Sequence, residues 1–283
     1  MAANSRLRRW VKRVLFRFFP EGWYRLAQGS AMAWDIRTRA WFEPEIELLP
    51  AAVDAGDCVV DVGANFGMYS YHLSCAVGRH GVVYAFEPVA WTRSVFKLVS
   101  LLLGMRNIRL VPLACGDRKS AALIRIPLQA AGSVSAGLAH VVNGPMGSPN
   151  SPSAREIQVE MTALDDFFDD LAGRKGEVSF IKCDVEGSEF LVMLGARRLI
   201  ERCNPTVVCE IVASRLAALG GSVLQLALFF EERGYQLYVF QPRQNSPRLL
   251  PIGAGAVTPG TDNYIFIHPS RLNRFSAFLR PQE

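Results

Sequence analysis

The chain has no C-x-x-C pair among its six cysteines, no paired spacing among its four histidines, and no G-x-G-x-x-G. The first two absences weaken the disulfide and zinc readings, because both need close cysteine or histidine spacing. Four of the cysteines (Cys58, Cys115, Cys183, Cys209) fall in apolar runs, where free cysteine behaves as a small hydrophobe; a reducing compartment fits that pattern. No apolar run approaches the ~20 residues that span a bilayer. The N-terminus lacks an uninterrupted apolar stretch and a small-residue cleavage site, so a signal peptide is not expected. Acidic residues are absent from the first twenty positions, which hold six of the 31 basic residues (Arg6, Arg8, Arg9, Lys12, Arg13, Arg17). The net charge of +5 therefore belongs to one end, and the near-neutral remainder lacks the basic track that nucleic-acid binding needs.

What is present is a half-apolar chain of 283 residues, enough for a large core. Leu7, Trp10, Val11, Val14 and Phe18 recur at helical spacing with cations opposite. This predicts a basic amphipathic helix that either packs on the domain or makes peripheral membrane contact through residues 6–19; a mitochondrial-type presequence is a third reading. From residue 57, short apolar runs at 57–62, 82–86, 108–113, 178–183 and 207–212 alternate with helical stretches near 67–78, 90–103, 188–201 and 221–233. Strands alternating with helices imply crossovers and a mostly parallel sheet. Two closing strands, 235–240 and 263–267, flank a Pro/Gly-rich connection without helical period, which favours an antiparallel return. Segment 127–158 interrupts the rhythm with many Gly, Pro and Ser residues, the composition of a lid or of a tolerated surface insertion.

Two segments carry chemistry. Asp61-Val62-Gly63-Ala64-Asn65-Phe66-Gly67 follows a strand and opens a helix. Glycines there allow close backbone approach to a ligand, and a helix N-terminus favours a carboxylate or phosphate. Glu87, at the end of the next strand, is placed to accept hydrogen bonds from ribose hydroxyls. Asn65 and Met68 stand where a dinucleotide site wants glycine. A nicotinamide-dependent sugar oxidoreductase or epimerase is therefore disfavoured, and an acid two residues before Gly63 suits a methionyl ammonium better. The bare alternative is a strand–helix turn with no ligand. The second segment, Lys182-Cys183-Asp184-Val185-Glu186-Gly187-Ser188-Glu189, collects charge at a buried strand end, where packing alone rarely puts it. Helix capping by Asp184 or Ser188 is the competing explanation.

Taken together, DVGANFGMYS (61–70), AFEP (85–88), Cys115-Gly116-Asp117, TALDDFF (162–168), FIKCDVEGSEF (180–190) and DNYIFI (262–267) resemble the FkbM family of S-adenosylmethionine-dependent methyltransferases over roughly residues 55–268. The resemblance implies an α/β class I (Rossmann-like) three-layer sandwich with a seven-stranded sheet whose last strand is antiparallel. It divides the chain into an N-terminal helix and helical lead-in (1–54), a methyltransferase domain (55–270) and a tail (271–283). It also implies S-adenosyl-L-methionine as cofactor and O-methylation of a hydroxyl on a sugar, glycan or natural product. Carried onto this sequence, it places Asp61, Gly63, Ala64, Asn65 and Gly67 at the methionyl end, Glu87 at the ribose and Asp117 at the adenine edge. Asp184 is the expected base, Glu186 the second candidate, and Lys182 either lowers an acceptor's pKa or anchors the loop. Some class I O-methyltransferases, such as catechol O-methyltransferase, hold Mg²⁺ at the position of Asp184. Glu186 and Glu210 are then further oxygen donors, although a metal is not predicted. The expected location is cytoplasmic, or peripheral at the inner face of a membrane. A non-catalytic interaction module on the same fold is the remaining alternative.

Overall fold

The structure is a computed structural model and describes residues 21–127, 140–141, 154–170, 177–242, 247–253 and 262–279. The basic helix expected over 7–19, and most of the 127–158 insertion, lie outside these residues.

Five apolar runs of the sequence form the parallel heart of one sheet. They are β1 (Cys58–Val62), β2 (Val82–Phe86), β3 (Ile108–Val111), β8 (Val178–Cys183) and β9 (Thr206–Glu210). Burial from both faces explains why β1 and β8 are buried at every position and read as continuous apolar runs rather than alternating ones. The chain returns through β10 (Gln236–Gln241) and β12 (Asn263–Ile267), with β12 antiparallel to both β9 and β10. The spatial order β3-β2-β1-β8-β9-β12-β10 contains the seven expected strands and the expected antiparallel one. An eighth, β11 (Arg248–Pro251), extends the edge beyond β10. It falls in the Pro/Gly-rich connection, whose composition hid it.

A second, four-stranded sheet, not expected from the sequence, is built from β4 (Ala114–Cys115), β5 (Ser120–Pro127), β6 (His140–Val141) and β7 (Ala154–Thr162). Its long β5–β7 antiparallel pair turns the flanks of the insertion into ordered structure.

Helices cover both faces: α1 (Glu21–Arg37), α2 (Leu49–Ala52), α3 (Met68–Val77), α4 (Ala90–Leu103), α5 (Leu164–Asp170), α6 (Glu189–Leu194), α7 (Arg197–Cys203), α8 (Ala213–Ala218), α9 (Val223–Glu231), α10 (Pro269–Leu272) and α11 (Ser276–Leu279). The helix expected over 188–201 is two helices. At the break, a side chain on Gly195 would collide with the carbonyl oxygen of Gly116. The Asp165 carboxylate then accepts from the free N–H groups of Arg198 and Leu199 at 3.0 and 2.8 Å, capping α7 from a neighbouring helix.

Ile36, Leu48, Leu49, Ala52 and Phe275 pack in one buried cluster with Val59, Leu73, Phe180 and Ile265. Arg274 makes a paired ion contact to Asp54 at 2.7 and 2.8 Å, tying the two ends together.

Candidate active site

The carboxyl ends of β1, β2 and β8 open onto one cleft. Its walls include Gly63, Asn65, Glu87, Asp184 and Glu186. Crevices outside the carboxyl ends of parallel strands are where such sheets bind ligands.

The β1–α3 loop is shaped by backbone requirements. Gly63, Asn65 and Gly67 have φ of 81°, 49° and 88°, a left-handed run that glycine and asparagine tolerate. A side chain on Gly63 would collide with the carbonyl oxygen of Asp184, so this glycine lets the β1 and β8 loops meet. A side chain on Gly67 would stand 2.5 Å from the Phe96 ring. The Gly63 and Ala64 N–H groups donate to the Phe86 carbonyl at 3.1 and 3.0 Å, which fixes the loop against β2.

Glu87 is buried at the cleft wall. Its Oε2 accepts from the Asn65 N–H at 3.1 Å and its Oε1 from the Val89 N–H at 2.8 Å. Burial pushes its pKa up to about 8, against those two hydrogen bonds and Arg93. Each oxygen keeps a lone pair free. The Asn65 Oδ1 is buried with no partner. Acceptors left over in this way suit the ammonium and ribose hydroxyls of S-adenosylmethionine, all of which are donors. Leu113, Ala114, Cys115 and Ile124 supply the apolar wall opposite.

Asp184 and Glu210 stand at the ends of the neighbouring strands β8 and β9, and their carboxyl groups hydrogen-bond each other. Burial raises both pKa values, Glu210 to about 8. Lys182 and the Glu210 hydrogen bond pull Asp184 back down, while the Asp184 charge pushes Glu210 further up. The hydrogen bond between them lowers Asp184 and raises Glu210, so of the two Glu210 holds a proton more readily.

Several residues singled out from the sequence stand away from the cleft. Lys182 is 2% exposed and does not line it. Its Nζ donates to Glu43 Oε2 at 3.0 Å and Asn263 Oδ1 at 2.8 Å, and lies 5.1 Å from the centre of the Tyr69 ring. Burial works against its charge, but Glu43, Asp184 and Glu210 together raise its pKa above the ordinary value. Of its two expected roles, only the anchoring one matches this geometry, and the partner is a residue of the N-terminal segment. Asp61 is 1% exposed beneath the loop and accepts from Ser70 Oγ at 2.5 Å. Burial pushes it up to about 7, opposed by Ser70 and Lys182. It holds the loop to α3 from below and is not part of the cleft wall. Glu186 faces the cleft but is ion-paired with Arg215, which ties up its carboxylate. Asp117 is also outside the wall and pairs with Arg118 at 3.8 Å; Ala114 and Cys115 occupy that side. Glu189 closes the β8–α6 loop by accepting from the Val185 and Gly187 N–H groups at 3.2 and 3.0 Å.

Among the described residues no group of three or more His, Cys, Asp or Glu side chains is arranged to hold a metal ion. Glu43, Asn263 and Tyr69 were missed from the sequence. Their only signal was a pair of acids at Glu43-Pro44-Glu45 and an asparagine opening the last strand.

The strand order, the antiparallel last strand and a nucleoside-type cleft at the strand ends define a class I methyltransferase fold. The family model described as the methyltransferase FkbM domain matches residues 61–237, and the chain belongs to that family of S-adenosylmethionine-dependent methyltransferases. A search of the curated proteins finds no significant match. The chain is similar to the solved structure of the methyltransferase FkbM from Methylobacillus flagellatus KT, with 17% identity and a TM-score of 0.46. The match covers 76% of this chain but spans 44% of that one. It is also similar to an rRNA methylase from Streptococcus thermophilus (11% identity, TM-score 0.44, 80% of this chain and 95% of that one). A third similar structure is a SAM-dependent O-methyltransferase from Thermotoga maritima (10% identity, TM-score 0.41, 86% and 67%).

Proposed function

We propose that the chain transfers a methyl group from S-adenosylmethionine to a hydroxyl on a sugar, glycan or natural product, with Asp184 as the general base. The observation that carries the reading is Asp184, which lines the same cleft as Glu87 and Asn65 and is hydrogen-bonded to Glu210. Glu87 would accept from the ribose hydroxyls, Asn65 and the β1–α3 loop would hold the methionyl end, and the Leu113–Ile124 side would take the adenine.

When bound, S-adenosylmethionine supplies a methyl group on a sulfonium, a leaving group that needs no protonation. The work left to the protein is positioning and deprotonation. A cleft wall that aligns the acceptor oxygen with the methyl carbon can contribute on the order of 7–11 kcal/mol at best. Asp184 accepts the hydroxyl proton, a contribution of ~10²–10⁴-fold. Protonated Glu210 donates a hydrogen bond to Asp184 and fixes its orientation. Lys182, buried below the cleft, favours the ionised form of Asp184 by its charge, against the effect of burial.

The test uses methyl-labelled S-adenosylmethionine and hydroxylated acceptors from a fractionated extract. The reading expects an alkali-stable methyl ether formed by the wild type and lost in Asp184→Asn, with cofactor binding retained. Alkali-labile methyl esters would point to carboxyl acceptors instead. Full activity in Asp184→Asn would remove the base. Cofactor binding without transfer to any fraction would favour a non-catalytic module.

A further inference from the structure

Among the described residues the outer face of α1 has no partner. Trp23 is 61% exposed, Leu26 45% and Trp34 66%, and their spacing of three and eight residues puts them on one side of the helix. The opposite side holds α1 to the domain: Tyr24 stacks on Trp91 at 5.8 Å, and Gly29 lies against Leu98 of α4. At the C-terminal end of α4, Leu101 is 78% exposed and Leu102 49%. Two tryptophans on one helix face, eleven residues and so roughly 16 Å apart, with Leu26 on the same side, form a larger apolar surface than scattered exposure produces.

The charges around this surface are of one sign. Arg25, Arg37, Lys97 and Arg106 are exposed, and no ion pair is formed by any of them among the described residues. α4 contains no acid, and the two acids of α1 are Glu21, at its first residue, and Asp35, which is buried. Residues 1–20 add six cations and no acid immediately upstream. A second copy of this face would set cations against cations, and so would the chain's own N-terminal segment. An anionic occupant with an apolar layer beneath its charge relieves both. Tryptophan and leucine on one helix face, with Arg37 on the same side and other exposed cations on α1 and α4, match the interface of a lipid bilayer, where indole rings sit at headgroup level and cations meet anionic lipid.

We infer that the outer face of α1, with the end of α4, docks the protein on an anionic membrane surface through Trp23, Leu26, Trp34 and Leu101. This surface is separate from the cleft, and the inference does not depend on the methyltransferase reading.

The test is flotation of the full chain with vesicles of phosphatidylcholine alone or with one-third phosphatidylglycerol, read beside the blue shift of tryptophan emission. The expected result is binding to the anionic vesicles only, weakened by salt, and reduced more than about tenfold in Trp23→Ser/Trp34→Ser, because both lost side chains are large apolar anchors. Circular dichroism checks that the double variant is folded. If it is not, quenching of the wild-type emission by brominated phosphatidylglycerol replaces it, with strong quenching expected. Four results would overturn the inference: equal binding by the folded double variant, equal binding to both vesicle types, no quenching by the brominated lipid, or a lipid-free dimer that the double variant dissociates. Binding to RNA that competes away the vesicles and survives the tryptophan substitutions would assign the cations to nucleic acid instead.

Discussion

Replacing Lys182 by methionine takes a buried ammonium from among the carboxylates of Glu43, Glu45, Asp61, Asp184 and Glu210, all of which sense its charge. Removing one partner of a buried ion pair costs about 3–5 kcal/mol, because the other is left uncompensated. Glu43 keeps 23% of its side chain exposed and can recover some hydration, so the lower end, about 3 kcal/mol, applies. Loss of the 2.8 Å hydrogen bond to Asn263 is part of that figure. Urea unfolding at neutral pH measures it directly. Adding Glu43→Gln removes the stranded charge and should restore about 1–2 kcal/mol, a coupling of the size neighbouring residues show. The activity of the folded fraction should also move. Lys182 lowers the pKa of Asp184, so its removal shifts the acid limb of the pH–rate profile to higher pH. A loss below about 1 kcal/mol, the scale of exposed pairs, would refute the reasoning; so would a double variant no more stable than the single one.

Gly63→Ala should fail to fold or lose more than about 3 kcal/mol, because a left-handed φ of 81° and a collision with the Asp184 carbonyl act at one position; thermal unfolding checks it. Stability should fall as pH rises from about 4 to about 8. Burial raises the folded-state pKa values of Asp61, Glu87 and Glu210 to about 7, 8 and 8. The folded state therefore binds more protons than the unfolded one across that window, and the loss levels off above it. A Tm that climbs between pH 5 and 8 would contradict those burials. Cofactor binding at pH 7 should release protons, since ribose hydroxyls and an ammonium favour ionised Glu87; calorimetry in buffers of different ionisation enthalpy reads the number, and Glu87→Gln should abolish its share.

The parts of the site that the sequence disclosed are local. Gly63, Asn65 and Gly67 announce a left-handed loop between a strand and a helix, and the apolar runs of β1, β2 and β8 set Glu87 and Asp184 at neighbouring strand ends. What it concealed depends on partners far apart in the chain. Lys182 meets Glu43 across 139 residues and Asn263 across 81, so the sequence left its two roles, acting on an acceptor or anchoring the loop, undivided. Glu186 was the second candidate after Asp184, and α8 places Arg215 on it. Asp117 was assigned by position after the third strand, but the β4–β7 pairing turns Ala114 and Cys115 to that wall instead. The split at Gly195 follows from a contact with Gly116, which helical periodicity does not register.

Isothermal titration of the purified chain with S-adenosylmethionine and S-adenosylhomocysteine, beside NAD⁺ and NADP⁺, tests the central claim most directly. The account predicts one site for the first pair, lost in Glu87→Ala, and none for the nicotinamide cofactors. Folded protein that binds neither methyl-donor ligand, or binds both equally well without Glu87, would contradict it.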